Sequence, residues 1–460
     1  MMADTIAAIA TPLGTAAIGV VRLSGPQALE IALKLFVPKA QSRTSQDTEL
    51  SSHRAYYGTV YAPDSDSPLD QGLLLYMQAP RSYTGEDCVE LQCHGGTFLL
   101  RTVLQACLSC GARLADAGEF TRRAFMHGKL DLAQAEAVAD LIHGQSEPGL
   151  ALAAHQLEGK LSEPVRRVRA ELLSLLATIE ANIDFPDEVD APETGILQAG
   201  MAAACSEIDS LLASADAGRI WKQGLKLAIV GEPNVGKSTL LNALLRYDRA
   251  IVSPIAGTTR DTVEDDYNLQ GIPIRVIDTA GLRDTDDQIE SIGIARAYQA
   301  LAEADLVLMI QDASQPISPV LQAQLQGLPA EKIVWVYNKL DLLTSAATSL
   351  PDTHKQGSAT YSISALHGTG LEALEQGLYQ QITQHLNLNQ TISVNERHKL
   401  CLTRAAEALS RAQNTLEQGL PSDFLAIDLK EAVQAFGEVI GESISEEVIH
   451  EIFHQFCVGK

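Results

Sequence analysis

The 460 residues are 46% hydrophobic and 20% charged with mean hydropathy near zero, an ordinary globular composition, long enough for about three domains and for several cores without disulfides or a structural metal. Lys and Arg number 34 against 58 Asp and Glu, a net charge of −24 spread along the whole chain. That excludes a basic arm gripping nucleic acid by phosphate neutralisation, so a nucleic-acid substrate would draw much of its positive surface from a partner protein. No apolar run reaches about 18 residues, and the first twenty residues carry Asp4 but no Lys or Arg, so neither a membrane span nor a leader is expected. Seven cysteines, an odd and sparse count, suit a reducing compartment, and a cytoplasmic protein is expected.

From Ile6 to about Gly118 short β-rich runs (IGVVRLSG, HRAYYGTVY, DCVELQCHGG) alternate with turns around one amphipathic stretch, Gln27–Phe36, which predicts a small α+β domain over residues 1–118. From about Glu119 the period becomes helical: Leu157, Leu161, Val165, Val168, Leu172, Leu175, Leu176 and Ile179 step by three or four. Pro164 restarts or kinks that helix, and the acidic turn Asp184–Glu188 stops it. From Leu225 to about Thr383 strands and helices alternate, the pattern of a doubly wound, mostly parallel α/β domain. Helices return at Glu396–Gln418, Ser422–Ile440 and Ser445–Phe456, the last with a capping-box spacing at Ser443 and Glu446. Helix on both sides of a complete α/β unit implies an insertion. Residues 119–215 and 384–460 read as two halves of one all-α domain, with an α/β domain at 219–383 between them.

Four motifs inside the α/β segment fall in order, each at a strand end. Gly231–Ser238 is G-x-x-x-x-G-K-S between an apolar strand and an apolar helix. Its backbone N–H groups, from Asn234, Val235 and Gly236 into Thr239, would curl round phosphate oxygens. Lys237 would reach the β/γ-phosphates, and Ser238 would ligate Mg²⁺. In Asp278-Thr279-Ala280-Gly281 the Asp supports the Mg²⁺ shell and Gly281 senses the γ-phosphate. In Asn338-Lys339-Leu340-Asp341 the Asp accepts from guanine N1–H and the 2-amino group, a donor pair that adenine lacks. Ser364-Ala365-Leu366 supplies a backbone N–H for the guanine carbonyl. The four together predict a GTP-binding domain. Leu282 stands where a Ras-like switch has a water-orienting glutamine, so hydrolysis needs other help. Asn234 offers an oxygen near the β/γ-phosphates for a monovalent cation acting like an arginine finger. The stretch Ser253–Asp261 would add Thr259 for Mg²⁺ and further oxygens for that cation.

Beyond these motifs, TPLG…AIGVVRLSG, YTGEDCVELQCHGG, GEFTRRAFMHGKLDLAQAEAVADLI, IDFPDE, AGTTRD, DTAGLR and the terminal FCVGK make the whole chain resemble the MnmE (TrmE) family of tRNA-modification GTPases. The resemblance implies a folate-binding, dimerising N-terminal domain, a discontinuous helical domain and an inserted G domain. It further implies a homodimer that joins the flavoprotein MnmG in a heterotetramer and acts on tRNA. That assembly installs an aminomethyl-type group on carbon 5 of the wobble uridine. The one-carbon unit would come from 5-formyltetrahydrofolate or methylenetetrahydrofolate, with FAD and NADH carried by the partner. By motif, Asn234, Ser253, Ile255 and Thr258 would ligate K⁺, Ser238 and Thr259 would ligate Mg²⁺, and Glu290 would help activate water. Arg22, Glu90, Lys129 and Lys460 would bind folate. The ending CVGK replaces the commoner CIGK, a difference of one methylene.

Cys457 is either a thiol used in the modification or a small packed residue. Cys107 and Cys110 have C-x-x-C spacing with no second pair, and Cys88 and Cys93 lie on opposite strand faces; packed thiols are expected. His94-Gly-Gly96 reads as a tight turn whose glycines would admit folate or a partner chain, and Arg166-Arg-Val-Arg169 as a solvated helix face. The contrasting class is a regulatory GTPase of the ribosome-assembly type, which usually appends a basic RNA-binding module that this acidic chain lacks.

Overall fold

Residues 4–39, 50–63, 65–144, 146–248, 266–277, 303–315, 328–343, 358–385 and 391–460 are described by a computed structural model. They form two compact units. One comprises Met1–Ile142, Gln156–Ile208 and Leu400–Lys460, the other His143–His155 with Asp209–Lys399.

The first unit is built on a seven-stranded sheet: β1 (Ile6–Ile9), β2 (Ala16–Ser24), β3 (Phe36–Pro38), β4 (Arg54–Tyr61), β5 (Pro68–Met77), β6 (Cys88–Gly95) and β7 (Arg113–Leu114), in the order β3-β4-β5-β6-β2-β1-β7. Only β1–β7 is a parallel pair. Alternation along β2 and β6 sends Val21, Leu23, Val89, Leu91 and Cys93 into a core with α1 (Ala28–Leu35) and α2 (Thr97–Ser109), through Ile31, Leu35, Leu100 and Val103. Arg22 and Glu90 thereby fall on the other face.

Helices follow: α3 (Glu119–Met126), α4 (Leu132–His143), α5 (Glu147–Leu157), α6 (Ser162–Asp184), α7 (Thr194–Ala213) and α8 (Ala215–Gln223), of which most of α5, the end of α7 and all of α8 belong to the second unit. Pro164 restarts the chain rather than kinking it, because it lies in the first turn of α6, where a missing N–H costs nothing. The apolar stripe Val165, Val168, Leu172, Leu176 and Ile179 is buried. Arg166, Arg167 and Arg169 are each ion-paired, with Asp131 (2.6 Å), Glu207 (2.9 Å) and Glu442 (2.6 Å).

The second unit holds β8 (Leu225–Gly231), α9 (Lys237–Asp248), β9 (Asp266–Leu269), β10 (Ile272–Ile277), β11 (Leu306–Asp312), β12 (Ile333–Asn338), β13 (Ala359–Ser362) and α10 (Leu371–His385). The sheet order is β13-β12-β11-β8-β10-β9, parallel except at the β9 edge. Every residue of β11 and β12 is buried, as expected for central parallel strands covered on both faces. The chain leaves β8 toward β10 on one side and returns at β11 on the other, so the carboxyl end of β8 lies at a topological switch point, where open α/β sheets bind ligands.

The C-terminal helices, in the first unit apart from the start of α11, are α11 (Glu396–Glu417), α12 (Ser422–Ile440), packed along α6, and α13 (Glu446–His454). The expected capping box at Ser443 is not formed. Ser445, extended at φ −74° and ψ 152°, is the N-cap of α13, so Ser443 stands two residues outside the helix. No described helix is long and apolar enough to cross a membrane.

Candidate functional site

The loop after β8 is shaped by two left-handed residues, Asn234 (φ 63°) and Gly236 (φ 99°). Gly236 is required there: a Cβ would fall 2.3 Å from Asn338 Nδ2. Asparagine is among the few side chains that tolerate the left-handed region, and strained backbone of this kind concentrates at ligand clamps. Lys237 Nζ donates to the carbonyls of Gly231 and Glu232, both at 2.8 Å. Burial pushes its ammonium below the ordinary lysine value, with Glu232 pulling the other way. A half-buried cation held by two neutral carbonyls gains from an incoming phosphate. Val235 is buried, whereas Ser238 and Thr239 stand exposed in the first turn of α9.

Asn338, buried at the end of β12, joins three loops: its Nδ2 donates to Val235 O (2.8 Å) and its Oδ1 accepts from Ala365 N–H (2.9 Å). The phosphate loop and the expected base-reading loops are thus one connected body. Ser364 Oγ donates to Asp341 Oδ1 at 2.5 Å and, as the leading cause, holds the exposed Asp341 carboxyl below its ordinary value. Leu366 is exposed. The structure therefore brings together Asn234, Val235, Gly236, Lys237, Ser238, Thr239, Asn338, Lys339, Asp341, Ser364 and Ala365, with Leu366 beside them. Ser253, Ile255, Thr258, Thr259, Asp278, Thr279, Ala280, Gly281 and Glu290 lie outside the described residues.

Sequence reasoning missed Asp312. It ends β11 opposite Asn338, is 3% exposed, and pairs with Lys339 Nζ at 2.8 Å. The available signal was its place at a strand end, as for Asn338.

In the first unit a second charged cluster forms where the chain terminus meets the sheet. Arg22 and Glu90 are cross-strand partners of β2 and β6 and pair at 2.9 Å. Arg22 lies 5.8 Å from the Tyr83 ring centroid and 5.7 Å from that of Phe120. The tail is pinned by Phe120 N–H to Lys460 O (3.1 Å), Gly118 N–H to Cys457 O (3.4 Å) and Arg22 Nη1 to Gly459 O (3.5 Å). Gly459 (φ 102°) lies so close to β1 that a Cβ would meet Ile9 O at 2.4 Å. Burial, then Arg22, push the Lys460 ammonium down, while Glu90 and Cys457 oppose them. Arg22, Glu90 and Lys460 thus converge. Lys129 is exposed and donates to Pro80 O at 3.1 Å, with no bond to the other three. Tyr83 and Phe120 had no local signal in the sequence.

Cys457 is exposed, and no two of the seven cysteines, all among the described residues, form a disulfide. Burial pushes the Cys93 and Cys107 thiols up to about 12, the behaviour of inert packed groups, and no metal-binding cluster occurs among the described residues. The tight turn expected at His94-Gly-Gly96 is not formed: His94 and Gly95 end β6, where a Cβ on Gly95 would sit 2.5 Å from Ala16 O of β2, and the exposed Gly96 is the N-cap of α2.

A phosphate cradle at the switch point of a parallel sheet, tied through Asn338 to a carboxylate loop suited to guanine, defines a P-loop GTP-binding protein. Profiles for the MnmE helical domain and for the N-terminus of the GTP-binding protein TrmE match residues 132–457 and 5–129. A tRNA modification GTPase MnmE of Chloroflexus aurantiacus is 45% identical over 463 residues, covering 100% of both chains, and one of Synechocystis sp. is 44% identical over 99% of each. A solved structure of an Era variant of Aquifex aeolicus bound to GDP·AlF₄⁻ is 30% identical over 40% of this chain and 66% of that one, with a TM-score of 0.27. The chain belongs to the MnmE family of tRNA modification GTPases, and it is a GTP hydrolase of tRNA modification.

Proposed function

We propose that this chain is a potassium-activated GTPase that works with the flavoprotein MnmG. Together they install a carboxymethylaminomethyl-type group on carbon 5 of the tRNA wobble uridine, from a tetrahydrofolate one-carbon unit. The observation that carries the reading is the single connected body of phosphate and base loops held by Asn338, in a chain that follows the family pattern over its full length.

Lys237 exchanges its two carbonyl partners for phosphate oxygens, the P-loop N–H groups cradle those oxygens, and Asp341 reads the guanine edge. Ser238 and Thr259 would hold Mg²⁺, and Asn234, Ser253, Ile255 and Thr258 would hold K⁺. When bound, both ions offset charge developing between the β- and γ-phosphates. Glu290 orients water in place of the glutamine that Leu282 replaces, and Asp278 and Gly281 couple the γ-phosphate to the loops around them. The left-handed Asn234 supports the potassium reading, since asparagine tolerates that backbone and carries an amide oxygen within the loop.

Arg22, Glu90 and Lys460 hold 5-formyltetrahydrofolate or methylenetetrahydrofolate, with Lys129 neutralising outlying polar groups. A carboxylate between two cations suits a ligand with an N–H-rich ring and an acidic tail. The exposed Cys457 thiol is the chemical group offered to the one-carbon carrier. FAD and NADH reside on the partner. Exposed Leu13, Ile18, Tyr57, Leu73 and Phe98 of the first unit support a homodimer that presents tRNA to a heterotetramer with MnmG. The domains run 1–118, 119–215 with 384–460, and 219–383, and the protein works in the cytoplasm.

Mass spectrometry of wobble uridines from cells lacking the gene tests the modification: an unchanged nucleoside profile would overturn it. Hydrolysis in KCl against NaCl tests the cation. The rate should be at least about tenfold higher in KCl, and Asn234→Ala should erase the difference.

A further inference from the structure

We infer that Asp312 is a specificity-determining positioning residue: it holds the Lys339 ammonium away from Asp341, so that the Asp341 carboxylate stays open to the guanine edge. The inference rests on the reading of Asp341 as the base reader.

The register of the parallel sheet sets the geometry. β11 and β12 pair so that Asp312 lies opposite Asn338, one residue before Lys339. The Asp312 carboxylate is 3% exposed and fully engaged. Oδ1 accepts from the Ser314 N–H (2.9 Å) and hydroxyl (2.6 Å), and Oδ2 accepts from Lys339 Nζ (2.8 Å). Burial works against its ionisation, but Lys339 and Ser314 outweigh burial and hold the carboxyl below its ordinary value.

Lys339 is left-handed (φ 67°, ψ 39°), unusual for a long side chain, and opens a 3₁₀ turn over Leu340–Leu342 with Leu342 N–H on its carbonyl at 3.0 Å. Asp341 is in that same turn, two residues on and exposed to solvent. A four-carbon stem with three rotatable donors reaches a carboxylate at that separation. Two carboxylates therefore compete for one ammonium.

Asp312 wins for a physical reason. A buried carboxylate attracts more strongly than a screened surface one, and releasing Lys339 would strand a buried charge. Without Asp312, Lys339 would fold onto Asp341, and guanine would have to displace an ammonium before its N1–H and 2-amino group could bond. The Ser364 hydroxyl completes the arrangement: it occupies Asp341 Oδ1 and fixes the carboxylate plane.

The test uses the full-length chain and calorimetry with GTP and xanthosine triphosphate, on wild type, Asp312→Asn, Asp341→Asn and the double variant. Asp312→Asn keeps the Ser314 contacts but removes the charge that holds Lys339. It should weaken GTP binding about tenfold, raising KM with kcat within about twofold of wild type. Asp341→Asn should switch preference to xanthosine triphosphate. In that background Asp312→Asn should change xanthosine triphosphate binding by less than about twofold, because no carboxylate remains to capture Lys339. Equal losses in both backgrounds would make Asp312 a structural residue and overturn the inference, as would undiminished GTP binding in Asp312→Asn. Failure of Asp341→Asn to switch preference would overturn the base reading itself, and the inference with it. Asp312→Ser repeats the comparison if circular dichroism finds Asp312→Asn unfolded.

Discussion

Lys237 finds its partners five and six residues away, whereas Arg22 finds one partner 68 residues away and another 437 residues away. In both places burial presses a lysine ammonium down, at Lys237 and at Lys460. The cradle does so with the backbone of one loop, whose conformation is set by Asn234, Gly236 and the helix that follows. The tail cluster needs the β2–β6 register, the start of α3 and the docked terminus at once. A locally built site depends chiefly on its own loop, with Asn338 as its distant tie. A site assembled over long range fails when any of its supports is removed.

The sharpest way to separate the two is Lys237→Ala. GTP affinity should fall by about three orders of magnitude, since two or more charge-assisted contacts are lost, while folate affinity stays unchanged. Calorimetry with both ligands decides it, and a parallel loss of folate binding would break the comparison.

Next comes a support of the tail cluster. Glu119, 2% exposed, opens α3 and accepts from Arg113 (2.6 Å), Arg123 (3.0 Å) and Asp116 N–H (2.8 Å). Burial opposes its ionisation, yet these three partners outweigh burial and keep the carboxyl below the usual 4.5. A carboxylate with a depressed folded value contributes stability above its unfolded value and loses it as pH falls through the folded one. Glu119→Ala should destabilise the first unit by about 2 kcal/mol at neutral pH by removing the buried carboxylate that Arg113 and Arg123 share, although Asp4 and Glu86 still pair with them. The difference from wild type should shrink below about pH 4.5. Urea titrations across pH measure both, and a pH-independent difference would refute the charge argument.

A smaller effect sharpens the local side of the comparison. Asp341→Asn replaces a double acceptor by a group presenting a donor to the guanine edge, so GTP affinity should fall by one to two orders of magnitude, roughly. Xanthosine triphosphate, with a carbonyl at position 2, should gain. Unchanged GTP binding would remove Asp341 from base recognition.

The smallest expected effect falls on the long-range side. Deleting Val458–Lys460 removes the Lys460 ammonium and the carbonyls that meet Phe120 and Arg22. 5-Formyltetrahydrofolate binding should weaken by at least about tenfold, with tRNA modification lost and GTP hydrolysis kept. A frayed, dispensable terminus would leave the dissociation constant unchanged.

Much of the candidate nucleotide site is legible in the sequence. G-x-x-x-x-G-K-S, N-K-x-D and S-A-L are short strings whose chemistry lies in backbone N–H groups and one carboxylate, and each sits where an apolar strand stops. The strand runs of the α/β segment and the stripe along α6 were legible for the same reason: a period of two or 3.6 is a property of neighbouring residues. Lys129 was assigned by motif to the same site as Arg22, and its bond to Pro80 O, 49 residues away, was beyond any local window. Ser443 had the right spacing for a cap, but the helix begins after Ser445 because extended backbone persists to that residue. Arg166, Arg167 and Arg169 read as a solvated face, and their carboxylate partners on other segments were invisible to a local window.

By itself, then, the sequence determined the class of protein and located the G-x-x-x-x-G-K-S loop and the N-K-x-D string, because these depend on a handful of neighbouring residues. The tertiary structure decided that Arg22 faces Glu90, that Lys460 returns to Phe120, and that Asp312 pairs with Lys339. Each of those depends on strand register or on a docked segment. A one-residue slip in either sheet would preserve every local propensity and undo the pairing.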